Sequence, residues 1–403
     1  MKILLATFWS IPHMGGVWNY MEQLKKMLES LDHEVDLMGY GEGNKYLHLL
    51  PQKKVIECDR FLPIINKIYE ESESLYYKEP VLNYYENLRY CYELGAAYFN
   101  LGKYDLIHTQ DVLSTACINR IKPERTALVA TLHGSVAQEM KDFATNVYKK
   151  PSSNLIIKYF ENMEYLGATS ARYTIVANEW MKNILSNDFN VPPEQLKVLH
   201  YGYDTDTFVK GMSEASPVKK PNDKKVIFYA GRLVELKGVH HLITALSHLK
   251  RKRDDWVCWI AGEGSKKEEL QHQSKALGLE ENILFLGKRD DIPSLLSNSD
   301  IFVHASLLDN QPLSVIEAQL AGIAVIVSDA GGLPEMVEHG KTGIITRAGD
   351  PTALFSQLTE LLTNDQYREA LGSNAKKWAL TYWSIDSAVN NLLGVYQSAL
   401  PKK

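Results

Sequence analysis

The sequence predicts an α/β protein made of two successive doubly wound domains, and two observations support this prediction. Short runs rich in valine, isoleucine and leucine alternate with segments of helical periodicity along most of the 403 residues. Such runs suit strands buried on both faces of a parallel sheet, with helices as crossovers. One polar stretch, KGMSEASPVKKPNDKK from Lys210 to Lys225, interrupts this alternation, which then restarts.

The predicted strands follow the chain in two series of six. The first series is KILLATF, HEVDLMGY, DLIHTQD, TALVATLHG, YTIVAN and LKVLHYG, with a helix from Gly16 to Leu31 after its first member. The second series is VIFYAG, WVCWIAG, ILFLG, DIFVHAS, AVIVSD and TGIITR. We therefore expect an N-terminal domain over 1–210, a C-terminal domain over 211–380 and a terminal helix within 381–403. Whether this helix packs back on the first domain stays open.

One segment, residues 46–104, departs from this rhythm and is dense in tyrosine. Apolar positions recur at helical spacing from Leu75 to Leu101. The favoured interpretation is a helical insertion whose aromatic stripe faces the core. The alternative is a platform for an acceptor molecule, because tyrosine combines a flat apolar face with a polar tip.

Composition excludes several classes of protein. The net charge of −5 argues against a nucleic-acid partner. The four cysteines are widely spaced and match no metal site, so we expect structural thiols in a reducing cytoplasm. The N-terminal apolar run is too short for a signal peptide, and no run has the roughly 18 apolar residues of a spanning helix. A cytoplasmic protein is expected, with peripheral membrane contact and oligomeric state left open.

An acidic pair, Asp309 and Glu317, lies in the run SLLDNQPLSVIEAQLAG. A turn is expected before Pro312, with a helix beginning at Pro312 or Leu313, since proline suits a helix start. The first amides of such a helix form an anion site between the two acids. Carboxylates can bind sugar hydroxyls while amides bind phosphate, so the pair indicates a nucleotide-sugar site.

Two cations, Arg232 and Lys237, follow the first strand of the second series in AGRLVELKGVHHL. A helix is expected to begin at Lys237-Gly238. Cations beyond the carboxyl end of a strand can neutralise a diphosphate, the arginine through its planar fork and the lysine as a point charge. Taken alone they would be solvated surface cations; beside the acidic pair they indicate a diphosphate site.

The first half of the chain offers weaker signals. Gly15 and Gly16 follow the first strand, where glycines allow close approach to a ligand at a helix start. The pattern is not Gly-x-Gly-x-x-Gly, which argues against a dinucleotide dehydrogenase. His133 follows the strand TALVATL, where a doubly wound domain presents ligands, and an imidazole can donate, accept or shuttle a proton.

Other loops and histidines compete for a role in the site. His13, His108 and His304 are the alternatives to His133. Gly331-Gly332, in DAGGLPEM, predicts another loop with exposed amides before a helix.

Five motifs occur in order: GGVWNY, TLHG, AGRLVELKG, the acidic pair and DAGGLPEMVEHGKTG. Together they resemble the retaining, nucleotide-sugar-dependent glycosyltransferases of group 1, which are related to sucrose synthases and bacillithiol-type glycosyltransferases. The resemblance implies a GT-B fold, with two Rossmann-like domains facing each other across a cleft. It also implies no catalytic metal and no cofactor, an acceptor on the N-terminal domain and a donor on the C-terminal one.

The resemblance also implies roles for individual residues. Arg232 and Lys237 would bind the donor diphosphate, Glu317 the ribose, Asp309 the transferred sugar, and His133 the sugar near the reacting centre. The remaining donor-site residues implied by the motifs are Gly15, Gly16, Asn310, Gln311, Leu313, Ser314 and Val315.

The chain departs from the family at one position. The family usually has glutamate where this chain has Asp309, and Asn310 and Gln311 replace the usual small and aromatic residues. The aspartate carboxylate lies about 1–1.5 Å closer to the backbone by standard bond lengths. These changes leave the identity of the donor sugar open.

The resulting hypothesis is a retaining transferase that moves a hexose or N-acetylhexosamine from a nucleotide-sugar, with UDP the expected nucleotide. The acceptor is not predicted. Because no second acid in the N-terminal half suggests itself as a nucleophile, front-face attack is favoured over two inversions. The alternatives are a phosphorylase or epimerase on the same fold, or a non-catalytic nucleotide-sugar sensor or complex subunit.

Overall fold

The computed structural model describes residues 1–12, 16–71 and 74–401, and it divides the chain into two compact units. The first unit comprises Met1–His200 with Val389–Lys403, and the second comprises Tyr201–Ala388. The polar stretch from Lys210 to Lys225 thus lies within the second unit. In the described part of the chain, no helix is both long and apolar enough to cross a membrane.

The described part of the first unit contains eight strands, which are β1 (Lys2–Ser10), β2 (Glu34–Tyr40), β3 (Tyr46–Leu50), β4 (Lys54–Glu57), β5 (Leu106–Thr109), β6 (Ala127–Leu132), β7 (Tyr173–Val176) and β8 (Leu196–Val198). They form one sheet in the order β4-β3-β2-β1-β5-β6-β7-β8. β1, β2 and β5 to β8 are parallel, and all six correspond to predicted apolar runs. β5 and β6 are buried along their whole length, as expected for strands covered on both faces.

The helices of the first unit are α1 (Gly16–Ser30), α2 (Leu62–Glu70), α3 (Pro80–Tyr98), α4 (Val112–Ile121), α5 (Val136–Asp142), α6 (Ser153–Ser170) and α7 (Glu179–Asp188). A π-helical turn over Phe143–Tyr148 follows α5. The predicted helix from Gly16 to Leu31 corresponds to α1 and ends one residue earlier.

The insertion over 46–104 is not helical throughout, so that part of the prediction is wrong. It opens with β3 and β4, which extend the sheet through antiparallel pairs such as Leu37 with Leu50. Pairing with the edge of β2 satisfies the backbone groups of both strands, and helical spacing begins only later. In α3, Tyr92 is fully buried and Tyr85 packs against the core, whereas Tyr84 is exposed. This burial favours the core-facing interpretation of the tyrosines.

The described strands of the second unit are β9 (Lys225–Ala230), β10 (Trp256–Ala261), β11 (Ile283–Gly287), β12 (Ile301–His304), β13 (Ala324–Ser328) and β14 (Ile344–Thr346). They form an entirely parallel sheet in the order β11-β10-β9-β12-β13-β14, and each corresponds to a predicted run.

The helices of the second unit are α8 (Thr205–Gly211), α9 (Val239–Lys250), α10 (Lys267–Ala276), α11 (Ile292–Ser297), α12 (Leu313–Ala321), α13 (Pro351–Thr363) and α14 (Asp365–Tyr382). A last helix, α15 (Ile385–Ala399), begins in the second unit and continues into the first.

Each sheet has one point at which the order of the strands reverses. In the first unit it lies between β1 and β5, and in the second between β9 and β12. Open parallel sheets bind ligands beyond the carboxyl ends of the strands at such a point. In the second unit this places the loops after β9 and β12 side by side, and these loops carry Lys237 and Asp309.

Candidate active site

The loop after β9 is held against the loop after β12 by a close backbone contact. Gly238 adopts a positive φ of 64°, and a Cβ there would lie 2.0 Å from the carbonyl oxygen of Ala305. The amide of Leu307 also donates to the carbonyl of Leu236 at 2.8 Å. Only glycine fits this position without strain. The predicted helix start at Lys237-Gly238 is confirmed, because α9 begins at the next residue.

The loop after β12 leads into the predicted helix. α12 begins at Leu313, with Pro312 as its N-cap residue and no side chain capping it. The Val315 amide donates to the Pro312 carbonyl at 3.1 Å, so this group is already engaged. Within the described residues the amides of Leu313 and Ser314 have no acceptor. The anion site at this helix start therefore offers two of the three predicted amides.

Lys237 and Asp309 meet in an ion pair between these two loops. Their side chains are only 15% and 14% exposed, and the Lys237 ammonium contacts Oδ2 of Asp309. His304, the last residue of β12, donates from Nε2 to the same oxygen at 2.7 Å. Burial alone would raise the pKa of Asp309, but the hydrogen bonds of His304 and Lys237 and the Lys237 charge hold it well below its usual range. Asp309 is therefore ionised at physiological pH.

The second acid of the pair has different surroundings. Glu317 lies in the second turn of α12 and accepts a hydrogen bond from Oη of Tyr203 at 2.6 Å. Burial raises the pKa of Glu317, and the Tyr203 hydrogen bond opposes this increase. Within the described residues Glu317 forms no ion pair. The negative charge of Asp309 is thus compensated by Lys237, whereas the Glu317 carboxylate is held by a neutral hydrogen-bond donor.

Arg232 is not part of the cluster formed by Lys237, Asp309 and His304. Its side chain is exposed, and in the described part of the chain its guanidinium has no ion pair. Its backbone carbonyl accepts a hydrogen bond from Oη of Tyr229 at 3.1 Å, which fixes the start of the loop after β9. The structure therefore brings Lys237 and Asp309 together and leaves the Arg232 side chain in solvent.

Four further predicted positions lie near Asp309 in the sequence or in the fold. The Asn310 amide donates to Oδ1 of Asp309 at 3.1 Å, and the Gln311 side chain is buried. Gly331 has a φ of 64°, and a Cβ there would lie 2.0 Å from the carbonyl oxygen of Asp309. The Gly332 amide donates to that same carbonyl at 2.9 Å. The glycine pair therefore supports the backbone of Asp309, and the Gly332 amide is not exposed as we expected.

In the first unit, His133 follows β6 and is half-buried. Its Nε2 bonds to Oε1 of Gln110 at 3.0 Å, and its ring packs edge-on against Tyr20 at 5.1 Å. Burial lowers the pKa of His133 to about 3, so the ring is neutral at physiological pH. Gly16 begins α1 with nothing within 4 Å of where a Cβ would stand. Gly15 and His13 lie outside the described residues.

His108, which the sequence offered as an alternative to His133, and Glu164, which it did not predict, are both buried in the first unit. His108 bonds through Nδ1 to Oη of Tyr396 and through Nε2 to Oγ1 of Thr131, both at 2.7 Å. Tyr396 lies 288 positions away in α15, so no local pattern could have paired them. Glu164 of α6 is fully buried and accepts from the Ala137 amide at 3.0 Å, at the start of α5.

The described residues contain no group of three or more histidine, cysteine, aspartate or glutamate side chains placed to hold a metal ion. The four cysteines are free and buried.

Two family models match successive parts of the chain. The model described as "Glycosyl transferases group 1" matches residues 213–378, and "Glycosyltransferase Family 4" matches residues 14–207. Among curated proteins, the N-acetyl-alpha-D-glucosaminyl L-malate synthase of Bacillus anthracis is 23% identical over 96% of this chain and 95% of its own length.

Solved structures share the fold over almost the whole chain. The sucrose-phosphate synthase from Thermosynechococcus elongatus superposes with a TM-score of 0.74 at 17% identity, covering 98% of both chains. The Anabaena protein HepE in complex with UDP-glucose has a TM-score of 0.70 at 22% identity, covering 99% of this chain and 100% of its own.

Proposed function

Because the chain belongs to the group 1 glycosyltransferases and has their GT-B fold of two Rossmann-like domains, we propose that it is a retaining, metal-independent enzyme that takes a hexose or N-acetylhexosamine from a UDP-sugar. Glycosyl transfer from a nucleotide-sugar donor is the activity of this family. One observation carries the finer proposal. The Lys237–Asp309 ion pair lies at the switch point of the second sheet, beside the uncapped start of α12.

The choice of UDP is supported by the ligands of related structures. HepE has been solved with UDP, with UDP and glucose, and with UDP-glucose. In this chain, Lys237 and Arg232 would bind the diphosphate, with the amides of Leu313 and Ser314 completing its cradle. Glu317 would bind the ribose, and Asp309 the hydroxyls of the transferred sugar.

Retention is proposed to occur by front-face attack. A double inversion would need a carboxylate free to attack the anomeric carbon. Asp309 is instead ion-paired with Lys237 and bonded to His304, both of which lower its nucleophilicity. The leaving diphosphate would accept the acceptor's proton, and Lys237 would stabilise the charge that grows on it. His133 stays a predicted sugar contact, and its neutral ring can donate or accept a hydrogen bond.

A thermal-shift screen against UDP, GDP and ADP and their sugars tests this proposal. A ligand at one hundred times its Kd stabilises a folded protein by about 2.7 kcal/mol, so a true donor should raise the melting temperature clearly. We expect UDP and at least one UDP-sugar to give the largest increase. If GDP or ADP compounds alone stabilise the protein, the assignment of UDP is wrong; if no nucleotide does, the proposed donor site is wrong.

A further inference from the structure

We propose that His304 is a positioning residue for the donor sugar, holding the Asp309 carboxylate in place while Lys237 moves from Asp309 to the donor diphosphate. The inference rests on the proposed function and deepens it. It gives a role to His304, a buried histidine that contacts neither the diphosphate nor the ribose in the proposed site. It also means that binding of the sugar depends on binding of the diphosphate.

The first step is that one oxygen of the Asp309 carboxylate, Oδ2, is crowded with donors. An ionised carboxylate has about four lone-pair positions for hydrogen bonds. Oδ2 of Asp309 is contacted by Lys237, by Nε2 of His304 at 2.7 Å and by Oγ of Ser306 at 3.3 Å. Oδ1 accepts from the Asn310 amide at 3.1 Å. Three donors therefore crowd Oδ2, while Oδ1 keeps one acceptor position.

The second step is that Lys237 is the donor able to leave. A lysine ammonium is a point charge on a flexible stem, and a diphosphate is a stronger attractant than one carboxylate. The Lys237 side chain is 15% exposed, whereas that of His304 is 2% exposed. Departure of Lys237 would relieve the crowding at Oδ2 and clear one side of the Asp309 carboxylate, where a sugar hydroxyl can then approach.

The third step is that His304 cannot follow Lys237. Its ring lies nearly parallel to those of Tyr229 and Phe302, with centroids 6.3 Å and 6.2 Å away. Its other nitrogen, Nδ1, is buried without a hydrogen-bond partner among the described residues. The ring is therefore oriented through Nε2, which bonds to Asp309 and lies 3.1 Å from Oγ of Ser306. Removing this donor as well would leave a partly buried carboxylate poorly compensated, which is costly.

Three polar substitutions of His304 that differ in length separate a positioning role from a structural one. In His304→Gln the amide nitrogen can take the place of Nε2, whereas in His304→Asn and His304→Ser the side chain is too short to reach Asp309. His248→Asn, on α9 and away from the cluster, is the matched control. Calorimetry would give the Kd of each protein for UDP and for the UDP-sugar that the wild type binds most tightly among UDP-glucose, UDP-N-acetylglucosamine and UDP-galactose.

We expect His304→Asn to weaken binding of the UDP-sugar about tenfold or more, because a hydrogen bond to a charged group is lost, while its Kd for UDP changes less than about threefold. His304→Gln and His248→Asn should stay within about threefold for both ligands. The loss should also vanish in the Asp309→Asn background, because His304 acts through Asp309.

Equal behaviour of the Asn and Gln variants would overturn the proposal, as would equal losses for UDP and the UDP-sugar. If His304→Asn and His304→Ser both fail to fold while His304→Gln folds, the role of His304 is structural and the proposal is wrong. A wild type that binds no UDP compound contradicts the proposed function itself, and this result appears before any variant is made.

Discussion

Replacing Glu164 by glutamine should make the stability of the protein less sensitive to pH. Glu164 is fully buried in α6, and its Oε2 accepts from the Ala137 amide just after the His133 loop. Its other oxygen has no hydrogen-bond partner among the described residues. Burial raises the pKa of Glu164 to about 7, and the Ala137 amide opposes this only in part. Glutamine has nearly the same shape and carries no charge.

The sign and size of the effect follow from proton linkage. An unfolded glutamate has a pKa near ~4.3, so between about pH 4.3 and 7 the folded protein binds more protons than the unfolded chain. The free energy of unfolding therefore falls as the pH rises through this window and levels off above about pH 7. A shift from about 4.3 to the folded pKa of about 7 corresponds to about 3–4 kcal/mol.

The assay is urea unfolding of wild type and Glu164→Gln at pH 5 and pH 8, with Glu161→Gln as the control. Glu161 lies on the same helix but is exposed. Relative to wild type, Glu164→Gln should gain stability between pH 5 and pH 8, by an amount on the order of 2–3 kcal/mol. The control should show no such gain. Parallel stability profiles for wild type and Glu164→Gln would refute the claim that Glu164 is buried with a raised pKa.

Four further substitutions test the site and the core. Tyr203→Phe removes the hydrogen-bond donor to Glu317, so calorimetry should show that UDP binds roughly threefold to tenfold more weakly. An unchanged Kd would show that this hydrogen bond does not orient Glu317. Asp309→Asn should weaken UDP-sugar binding more than UDP binding, because it removes the sugar contact and frees Lys237 for the diphosphate. Glu317→Gln should weaken the two equally, and equal losses for UDP and the UDP-sugar in both variants would contradict this division of roles. Arg89→Leu leaves Glu86 buried without its bidentate partner, so the free energy of unfolding measured in urea should fall by about 3–5 kcal/mol. A decrease of less than about 1 kcal/mol would refute this.

Local chemistry made most of the fold predictable. Apolar runs identified the parallel strands of both sheets, and a proline and a glycine located the starts of α12 and α9. The strands β3 and β4 were missed because their place depends on pairing with β2, which residue pattern alone does not encode. In α3 the core-facing interpretation of the tyrosines fits Tyr92, which is fully buried as helical spacing predicts, but not Tyr84 and Tyr98, which are exposed.

The sequence identified most residues of the candidate site but not the contacts that those residues make. The proximity of Lys237 to Asp309 followed from their places after neighbouring strands. The partner of Glu317, Tyr203, lies 114 positions away and carries no motif. His304 was one of several competing histidines, and its bond to Asp309 depends on how β12 ends. Gly331-Gly332 resembled a separate amide site, but tertiary packing places it under the Asp309 backbone.

The most direct test of the central claim is the rate of UDP release from the best-bound UDP-sugar, measured with and without a cell extract as the source of acceptor. A transferase should release UDP faster when acceptor is present, and Lys237→Ala should slow this release by roughly one hundredfold or more, because it removes the charge that stabilises the leaving diphosphate. Binding of the UDP-sugar without acceptor-dependent release would identify a sensor. A Lys237→Ala rate within about twofold of wild type would contradict the role of the Lys237 charge.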